Sequence, residues 1–378
     1  MKILAHFDFI VVLLIVPLVL ISLFLVNELD SALFIKQLKY IFLSLCVAVA
    51  LFFIPYRRLN YSIIFLYIGL LLLVLAVKFI GVEKNNAKRW IEIPFTSFSI
   101  QPSEIMKIAL MLFLASYISK KPPPECGYGW KDFGIISSFI ILPFFFILLE
   151  PDLGTALLIL LAGFGVLFLV GVNKKIWITL SIIGLLLAPT TYSIVFSSGL
   201  LKKYHERRIN DFISGNYPYQ VQQALIAIGS GGAYGKNKDM ATQSQLNFLP
   251  YASTDFIFAY FVERFGLFGA LGLLGLYFLL ILYLLSICIS STQDLFLRVV
   301  SGYIAMLFFL YAGVNICMVL GFAPVVGVPL VLVSYGGTSF ITFIALLTIL
   351  ESILAFRFVF EYNAHPTTKW KLFRWPFR

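Results

Sequence analysis

The chain has 378 residues, of which 61% are hydrophobic and 12% are charged, and its mean hydropathy is +0.97. A water-soluble globule of this composition would expose large apolar patches, so the composition excludes that class and predicts an integral membrane protein. The net charge of +10 comes from basic residues that flank apolar runs, where lipid head groups rather than nucleic acid are the expected counter-charge.

The first apolar run, Phe9 to Val26, follows only Lys2 and His6 and is longer than the apolar core of a signal peptide. No small-x-small cleavage motif follows it, so the run is predicted to be a retained first span. The four cysteines are widely scattered without a C-x-x-C pair, and the three histidines are equally dispersed. This spacing predicts neither a disulfide nor a zinc site, and it gives little support to a histidine-based triad.

The apolar runs are too long and uninterrupted for the alternating strands of a membrane barrel, which favours helices. Taking about 20 apolar residues as one span, the sequence predicts an all-α polytopic membrane protein with about ten transmembrane helices. The predicted spans are residues 8–26, 38–54, 62–82, 104–119, 134–150, 153–171, 175–195, 256–287, 299–320 and 335–358. No internal repeat is visible, which disfavours transporters built from inverted repeats.

Lys and Arg are distributed unequally over the two sides of these spans. With the N-terminus inside, the inner connections and the tail hold 14 Lys and Arg, whereas the short outer connections hold five. The positive-inside rule therefore predicts that both termini are cytoplasmic. The one large loop, residues 196–254 between helices 7 and 8, then faces outward.

The predicted organisation is a single transmembrane domain over residues 1–361, with 196–254 as its extracytoplasmic loop, and a cytoplasmic tail over 362–378. The loop is too short for a catalytic domain with its own core, and its short apolar stretches predict helices lying against the membrane surface. The tail interleaves basic and aromatic residues, which predicts contact with anionic lipids of the inner leaflet. A solvated or vector-derived tail is the alternative.

Asp255 lies where the polar loop ends and a deeply apolar helix begins. An ionisable side chain at such a boundary loses hydration and is a functional candidate in a membrane protein. Ser253, Thr254 and Asp255 are also good N-cap residues, so a helix cap alone would explain an acid here. Position alone leaves both interpretations open.

Glu104 and Lys107 would lie on the same outer side, three residues apart on one helix face. They form either an exposed interfacial ion pair with Trp90 as its aromatic anchor, which these residues alone favour, or a buried pair that orients other polar groups. In the second interpretation, Lys88 and Arg89 are anion contacts.

The outer turn Glu150-Pro151-Asp152 joins two long predicted spans. Its acids could simply start a helix, or they could hold a cation or position a sugar hydroxyl. Position favours the cap.

The outer loop combines basic and polar residues with a Gly-rich run over 229–235. Gly-rich backbone can approach a phosphate closely while Arg supplies charge, although most such runs are only turns. The loop's candidates for substrate binding are Arg207, Arg208, Tyr219, Gln220 and Gln223.

The segment from Pro324 to Ser339 has a density of Pro and Gly that breaks helices. Irregular backbone at membrane depth persists only where it is buried in protein or lines a cavity. A lining role for Ser334, Gly336 and Gly337 is therefore favoured over a tightly packed hairpin.

Taken in order, these strings resemble the SEDS (shape, elongation, division and sporulation) family, and within it the RodA-like rod-elongation branch. The matching strings are Ala87-Lys88-Arg89-Trp90-Ile91, Gln101-Pro102-Ser103-Glu104 with Lys107, Glu150-Pro151-Asp152-Leu153-Gly154-Thr155, Tyr219-Gln220 with Gln223, Leu249-Pro250 with Thr254-Asp255-Phe256-Ile257-Phe258, and Pro324 through Ser339. The chain departs from the family pattern at Tyr251, where Glu is usual, at Ser253, where His is common, and at Phe322, where a smaller aliphatic is usual.

The resemblance implies a peptidoglycan glycosyltransferase of the bacterial cytoplasmic membrane that polymerises lipid II on the outer face. It also implies a class B penicillin-binding protein as the transpeptidase partner. By the same resemblance, Asp255 matches the essential acid, while Asp152, Glu104, Lys107 and Arg89 match polar positions around a central cavity. The departures at Tyr251 and Ser253 argue against a mechanism that needs a second acid or a histidine beside Asp255.

Chain growth needs a base for a sugar hydroxyl and positive charge for a departing pyrophosphate. Asp255 is the expected general base. The charge is expected from Arg89, Lys107, Arg207 and Arg208, or from a divalent ion such as magnesium or manganese held by Asp152 or Asp255. A flippase or transporter of lipid-linked precursors is the alternative function, and a scaffold that only anchors its transpeptidase is a third.

Overall fold

The computed structural model describes residues 7–84, 87–92, 99–150, 152–197, 214–241, 243 and 248–356, most of them helical. The helices are α1 (Phe9–Leu29), α2 (Ser31–Phe52), α3 (Asn60–Ile80), α4 (Pro102–Lys120), α5 (Trp130–Leu149), α6 (Leu153–Val170), α7 (Lys174–Ser197), α8 (Tyr219–Gly231), α9 (Ile257–Ser290), α10 (Leu295–Val319) and α11 (Gly337–Ala355). Among the described residues, 9 helices are long and apolar enough to cross a membrane, namely α1 to α6, α9, α10 and α11. The predicted all-α polytopic membrane fold is confirmed.

The second helix begins earlier than predicted, at Ser31 rather than at residue 38. Asp30 is its N-cap, and one carboxylate oxygen accepts hydrogen bonds from the backbone N–H groups of Ala32 and Leu33. The polar residues of the first turns had indicated a loop. One of them, Gln37, is instead buried and donates to Ser22 of α1 at 3.3 Å.

Three short strands, which the sequence analysis did not predict, lie between α3 and α4. Strand β1 (Val82–Lys84) pairs antiparallel with β2 (Ala87–Glu92), and β2 pairs antiparallel with β3 (Ser99–Ile100). Strands β1 and β3 are too short for a period-2 pattern to be visible in the sequence, and the six residues of β2 do not alternate between apolar and polar side chains. Their effect is to bring Arg89 and Trp90 back over the start of α4.

Helices α4 and α10 form the centre of the bundle. Their most apolar windows are 78% and 72% buried, against 11% for α2 at the periphery. Helix α10 packs against α4, α6 and α9, and α11 packs on α2. Helix α7 is not part of this centre, because its side chains over residues 181–187 are all exposed.

The described part of the outer loop contains the helix α8 and a short 3-10 turn, Lys238–Met240. Helix α8 packs mainly on the first part of α9, which agrees with the prediction of short helices in this loop. Residues 198–213 and the tail beyond residue 356 lie outside the described residues.

Candidate active site

The turn that carries Asp255 is built by backbone hydrogen bonds before α9 begins. The N–H groups of Thr254 and Phe256 both donate to the carbonyl of Tyr251, at 3.1 and 3.2 Å, and Tyr251 itself has φ +58°. The N-cap residue of α9 is Phe256, which makes no side-chain cap bond. The first residue of α9, Ile257, therefore lies two positions after Asp255.

Two buried polar side chains fix this turn to the irregular segment that precedes α11. Asn315 of α10 is fully buried, and its Nδ2 donates to the carbonyls of Asp255 at 2.8 Å and Val328 at 2.7 Å. The Ser334 hydroxyl donates to the Thr254 carbonyl at 2.6 Å. Because each side chain bridges two segments, the turn and the segment are held as one unit.

Gly327, in the irregular segment, lies close to the Asp255 carboxylate. It has φ +70°, and a Cβ at this position would lie 3.6 Å from Asp255 Oδ2. A side chain here would be strained and would lie against the carboxylate. Glycine therefore keeps the space beside the acid open.

Gly327 also lines a cavity of about 220 Å³. Strand β2, the starts of α4, α6 and α11, the middle of α10 and the segment 327–336 all contribute to its wall. The lining residues are Arg89, Trp90, Gln101, Glu104, Asp152, Thr155, Tyr311, Gly327, Val328, Pro329, Gly336, Gly337, Thr338 and Ser339. The lining thus combines charged groups, hydroxyls and two aromatic side chains, Trp90 and Tyr311, at the end of a membrane bundle.

Asp152 is the best-anchored acid of the lining. It caps α6 by accepting from the Thr155 N–H at 3.2 Å, accepts from Gln101 Nε2 at 2.8 Å, and lies 3.6 Å from Arg89 Nη1. The predicted cap is confirmed, and the same carboxylate also lines the cavity. The two interpretations of the sequence are therefore compatible.

Glu150 lies two residues earlier in the same turn, and its carbonyl accepts from Arg89 Nε at 3.1 Å. Its carboxyl group is buried, and neither carboxyl oxygen has a hydrogen-bond partner among the described residues. Burial, and then the negative charge of Asp152, raise the pKa of Glu150 to about 8, although Arg89 partly opposes the shift. Glu150 is therefore mostly protonated at neutral pH.

Glu104 and Tyr311 of the lining form a buried charged cluster with Lys107, which is not itself a lining residue. Lys107 Nζ donates to Glu104 Oε1 at 2.6 Å and to the Tyr311 hydroxyl, and it lies 4.5 Å from the centre of the Tyr311 ring. The Lys107 side chain has no exposed surface. The interpretation of Glu104 and Lys107 as an exposed interfacial pair is wrong, because helices α10 and α11 cover them.

Comparison with known proteins agrees with this architecture. The family described as "Cell cycle protein" (FTSW_RODA_SPOVE) matches residues 1–358. The chain belongs to the FtsW/RodA/SpoVE family. The predicted resemblance is confirmed.

Members of this family that are similar to the chain include proteins named peptidoglycan glycosyltransferase MrdB. The one from Helicobacter pylori strain J99 is 45% identical over 362 residues, covering 96% of this chain and 93% of the relative. The one from Escherichia coli K12 is 36% identical over 329 residues, covering 86% of each.

Two solved structures are also similar. The rod shape determining protein RodA of Thermus thermophilus gives a TM-score of 0.69 at 26% identity, covering 93% of this chain and 98% of that one. A chain from a study of a peptidoglycan synthase complex that coordinates polymerization and crosslinking gives 0.79 at 27% identity, with the same coverage. These likenesses agree with the RodA-like branch and with a multi-pass membrane protein.

The structure of this family member brings together six of the predicted site residues at the cavity wall: Arg89, Trp90, Glu104, Asp152, Gly336 and Gly337. Lys107 and Asp255 lie directly behind that wall. Ser334 is buried and ties the backbone together, so its place is structural rather than in the lining.

The remaining candidates are not brought to the cavity wall. Lys88 is exposed, and Tyr219, Gln220 and Gln223 lie on α8, where Tyr219 is 53% exposed. None of these four is among the lining residues. Arg207 and Arg208 lie outside the described residues.

The structure adds Gln101, Thr155, Tyr311 and Asn315 to the candidate set. Tyr311 and Asn315 are four residues apart on α10, so both project from the same helix face. Two polar side chains at this spacing within an apolar span were the signal that could have identified them.

The described residues contain no group of three or more His, Cys, Asp or Glu that could hold a metal ion. Asp152, one of the two predicted metal ligands, faces an amide N–H, an amide side chain and a guanidinium, all of which are donors. This donor set favours a hydrogen-bonded carboxylate over a metal ligand at that position.

Proposed function

We propose that this chain, like the relatives named above, is a peptidoglycan glycosyltransferase, that lipid II is its substrate, and that Asp255 is its general base. The observation that carries the proposal is the polar cavity of about 220 Å³ at one end of a membrane bundle, because one of its lining residues, Gly327, lies next to the Asp255 carboxylate. A lipid-linked substrate has its apolar part in the bilayer and its sugars at the surface. A polar cavity at the end of the spans matches the position of those sugars.

In the proposed reaction, the 4-hydroxyl of one lipid-linked sugar attacks the anomeric carbon of another. Asp255 accepts the hydroxyl proton as the new carbon–oxygen bond forms. The bond between the anomeric carbon and the lipid diphosphate breaks, and the diphosphate leaves with the bonding electrons. Asp255 is suited to the role of base because Asn315 and Ser334 hold the backbone of its turn in place.

The cavity lining serves to hold the substrate in this geometry. Arg89 contributes positive charge toward the departing diphosphate, and Asp152 keeps the guanidinium oriented. The face of Trp90 and the hydroxyls of Thr155, Tyr311 and Ser339 suit the apolar and polar faces of a sugar ring. Lys107 acts through Glu104 and Tyr311, because its ammonium group is enclosed by them.

The positive-inside pattern supports an outward-facing cavity, with both termini in the cytoplasm of a bacterial cell. Lipid II carries its disaccharide outside the cytoplasmic membrane when it is polymerised, which agrees with that orientation. We further propose that the chain acts in cell elongation with a class B penicillin-binding protein, which would cross-link the strands. The similarity to a chain from a peptidoglycan synthase complex supports a partner of this kind.

The test is polymerisation of purified lipid II by the purified chain, alone and with its transpeptidase partner. Asp255→Asn keeps the size of the side chain but removes the base, so glycan formation should fall about 10²–10⁴-fold. Asp132→Asn, at the opposite end of the bundle, is the matched control and should polymerise like the wild type. Normal product from Asp255→Asn would exclude the assigned base, and transbilayer movement of lipid II without any polymer would indicate a carrier.

A further inference from the structure

Helix α9 consists of two parts that are not mechanically continuous. Gly266 has φ +65° and ψ −165°, so the helix is broken at this residue. The part before the break, residues 257–265, is separated from Asp255 only by Phe256. Because the helix is broken, the second part does not fix the orientation of the first part. Contacts with neighbouring segments must fix it instead.

One of these contacts is the glycine-rich segment 231–236, which wraps around the break. The Lys236 N–H donates to the Glu263 carbonyl at 3.0 Å, and the Leu267 N–H donates to the Gly232 carbonyl at 2.9 Å. A Cβ at Gly235 would lie 2.2 Å from the Arg264 carbonyl oxygen, so only glycine permits this approach. The segment and the break are therefore packed backbone against backbone.

The other contact comes from α1, which reaches the same place through Glu28 in its last turn. The Glu28 carboxylate accepts from Arg264 Nε at 2.9 Å, from Arg264 Nη2 at 2.7 Å and from the Tyr260 hydroxyl at 2.8 Å. The third nitrogen, Arg264 Nη1, donates to the carbonyl of Lys236. One carboxylate thus joins α1, the first part of α9 and the glycine-rich segment, and we refer to Glu28, Tyr260 and Arg264 as the Glu28 clamp.

The clamp has the properties of a specific anchor rather than of a surface ion pair. Both charged side chains are only 11% exposed, and the pairing is bidentate, the geometry in which guanidinium and carboxylate interact most strongly. Tyr260 is fully buried, so its hydroxyl cannot exchange the carboxylate for water. The ring centroids of Phe24 and Phe265 lie 5.8 Å apart, so α1 and α9 also share an aromatic contact that does not involve the clamp.

We propose that Glu28 is a positioning residue for the glycosyl transfer, because it holds Arg264 and thereby fixes the part of α9 that follows Asp255. This inference rests on the proposed function of Asp255. Glu28 itself lies outside the cavity lining and acts through Arg264 and Tyr260. Loss of the clamp should misplace the base without removing any group that contacts substrate.

The decisive variant is Glu28→Gln, which keeps the side-chain size but loses the negative charge and one acceptor. Arg57→Gln is the matched control, because Arg57 pairs with Asp294 at the opposite end of the bundle with comparable partial burial, 23% and 20% exposed. The double variant Glu28→Arg with Arg264→Glu restores an ion pair in reversed order. Each protein is compared with the wild type in the same detergent.

Two measurements are made on the full chain. Hydrogen exchange of peptides covering residues 231–241 should speed up in Glu28→Gln, stay at the wild-type rate in Arg57→Gln, and return toward it in the double variant. In lipid II polymerisation, kcat of Glu28→Gln should fall about 10–100-fold while KM stays within about twofold, as expected for a misplaced base. The double variant should recover most of the lost kcat.

Unchanged hydrogen exchange over residues 231–241 in Glu28→Gln would show that the Glu28 clamp does not hold this segment in place. An equal loss of kcat in Arg57→Gln, or a rise in KM with kcat unchanged, would overturn the positioning role. The exchange measurement does not depend on activity. A wild-type chain that makes no glycan would therefore contradict the proposed function, while exchange alone would still decide whether the clamp exists.

Discussion

The two ends of helix α4 each carry a lysine paired with an acid at almost the same distance. Lys107, near the start of α4, lies 2.6 Å from Glu104, and Lys121, just after its end, lies 2.5 Å from Asp132. The side chain of Lys107 has 0% of its surface exposed, whereas that of Lys121 has 51%. The nitrogen–oxygen distances of the two pairs are similar, but one pair is buried and the other is exposed.

The difference shows that burial, rather than distance, decides what an ion pair does in this protein. Removing two charges from water costs several kcal/mol per ion, which their attraction only partly offsets. Water and salt screen an exposed pair, and such a pair contributes little. Burial of the Glu104–Lys107 pair beside the cavity therefore costs stability. We infer that the role of the pair is to shape the substrate site.

The largest effect is expected from breaking the buried pair on one side only. Lys107→Met should leave Glu104 buried and uncompensated, lowering the free energy of unfolding by about 3–5 kcal/mol. Adding Glu104→Gln should return most of that stability, because no unpaired charge then remains. Denaturation in detergent measures both variants.

If the double variant were as unstable as Lys107→Met alone, the cost would come from lost packing rather than from the orphaned charge. Polymerase activity separates stability from function in the same proteins. The double variant should be stable but poorly active, because the hydrogen bonds to Tyr311 and the shape of the cavity floor are altered.

An intermediate effect is expected from Glu150, and it should depend on pH. Burial and the charge of Asp152 raise the pKa of Glu150 to about 8 in the folded protein, from an ordinary value of 4.5. The folded state therefore holds a proton that the unfolded state has released, so stability falls as pH rises from about 4.5 to about 8 and levels off above that. Glu150→Gln cannot ionise and should flatten this decline.

The measurement is the thermal unfolding midpoint of wild type and Glu150→Gln in detergent at pH 5, 6.5 and 8.5. The advantage of the glutamine variant should grow with pH. A difference between the two proteins that is the same at all three values would show that Glu150 does not titrate in this range.

The smallest effect is expected at the far end of α4. Asp132→Asn removes the partner of an exposed lysine, so the unfolding midpoint should stay within experimental error of the wild type, as for most surface ion pairs. Unfolding at low and at 0.5 M salt should also give the same difference between the two proteins. A marked destabilisation would mean that burial does not explain the difference in stability contribution between the two ion pairs of α4.

The chemistry of several site residues could be predicted from local sequence. Two of these patterns depend only on near neighbours in the sequence. They are the Pro at the start of α4 followed by Glu104 and Lys107, and Asp152 just before α6. The exposed or buried state of Glu104 and Lys107 could not be predicted in this way, because it depends on α10 and α11 more than 200 residues later in the chain. Asn315 and Glu28 were missed for the same reason, since their partners are distant in sequence.

The sequence by itself determined that this protein is a bundle of membrane-spanning helices, because hydropathy summed over one span is a local quantity. It also determined the family, because the short polar strings occur in a characteristic order. Only the tertiary structure decided that Arg89, Asp152, Glu104 and Tyr311 share one cavity with Asp255 beside it. That convergence depends on the packing of helices and strands against one another, and it is set by contacts between segments far apart in the chain.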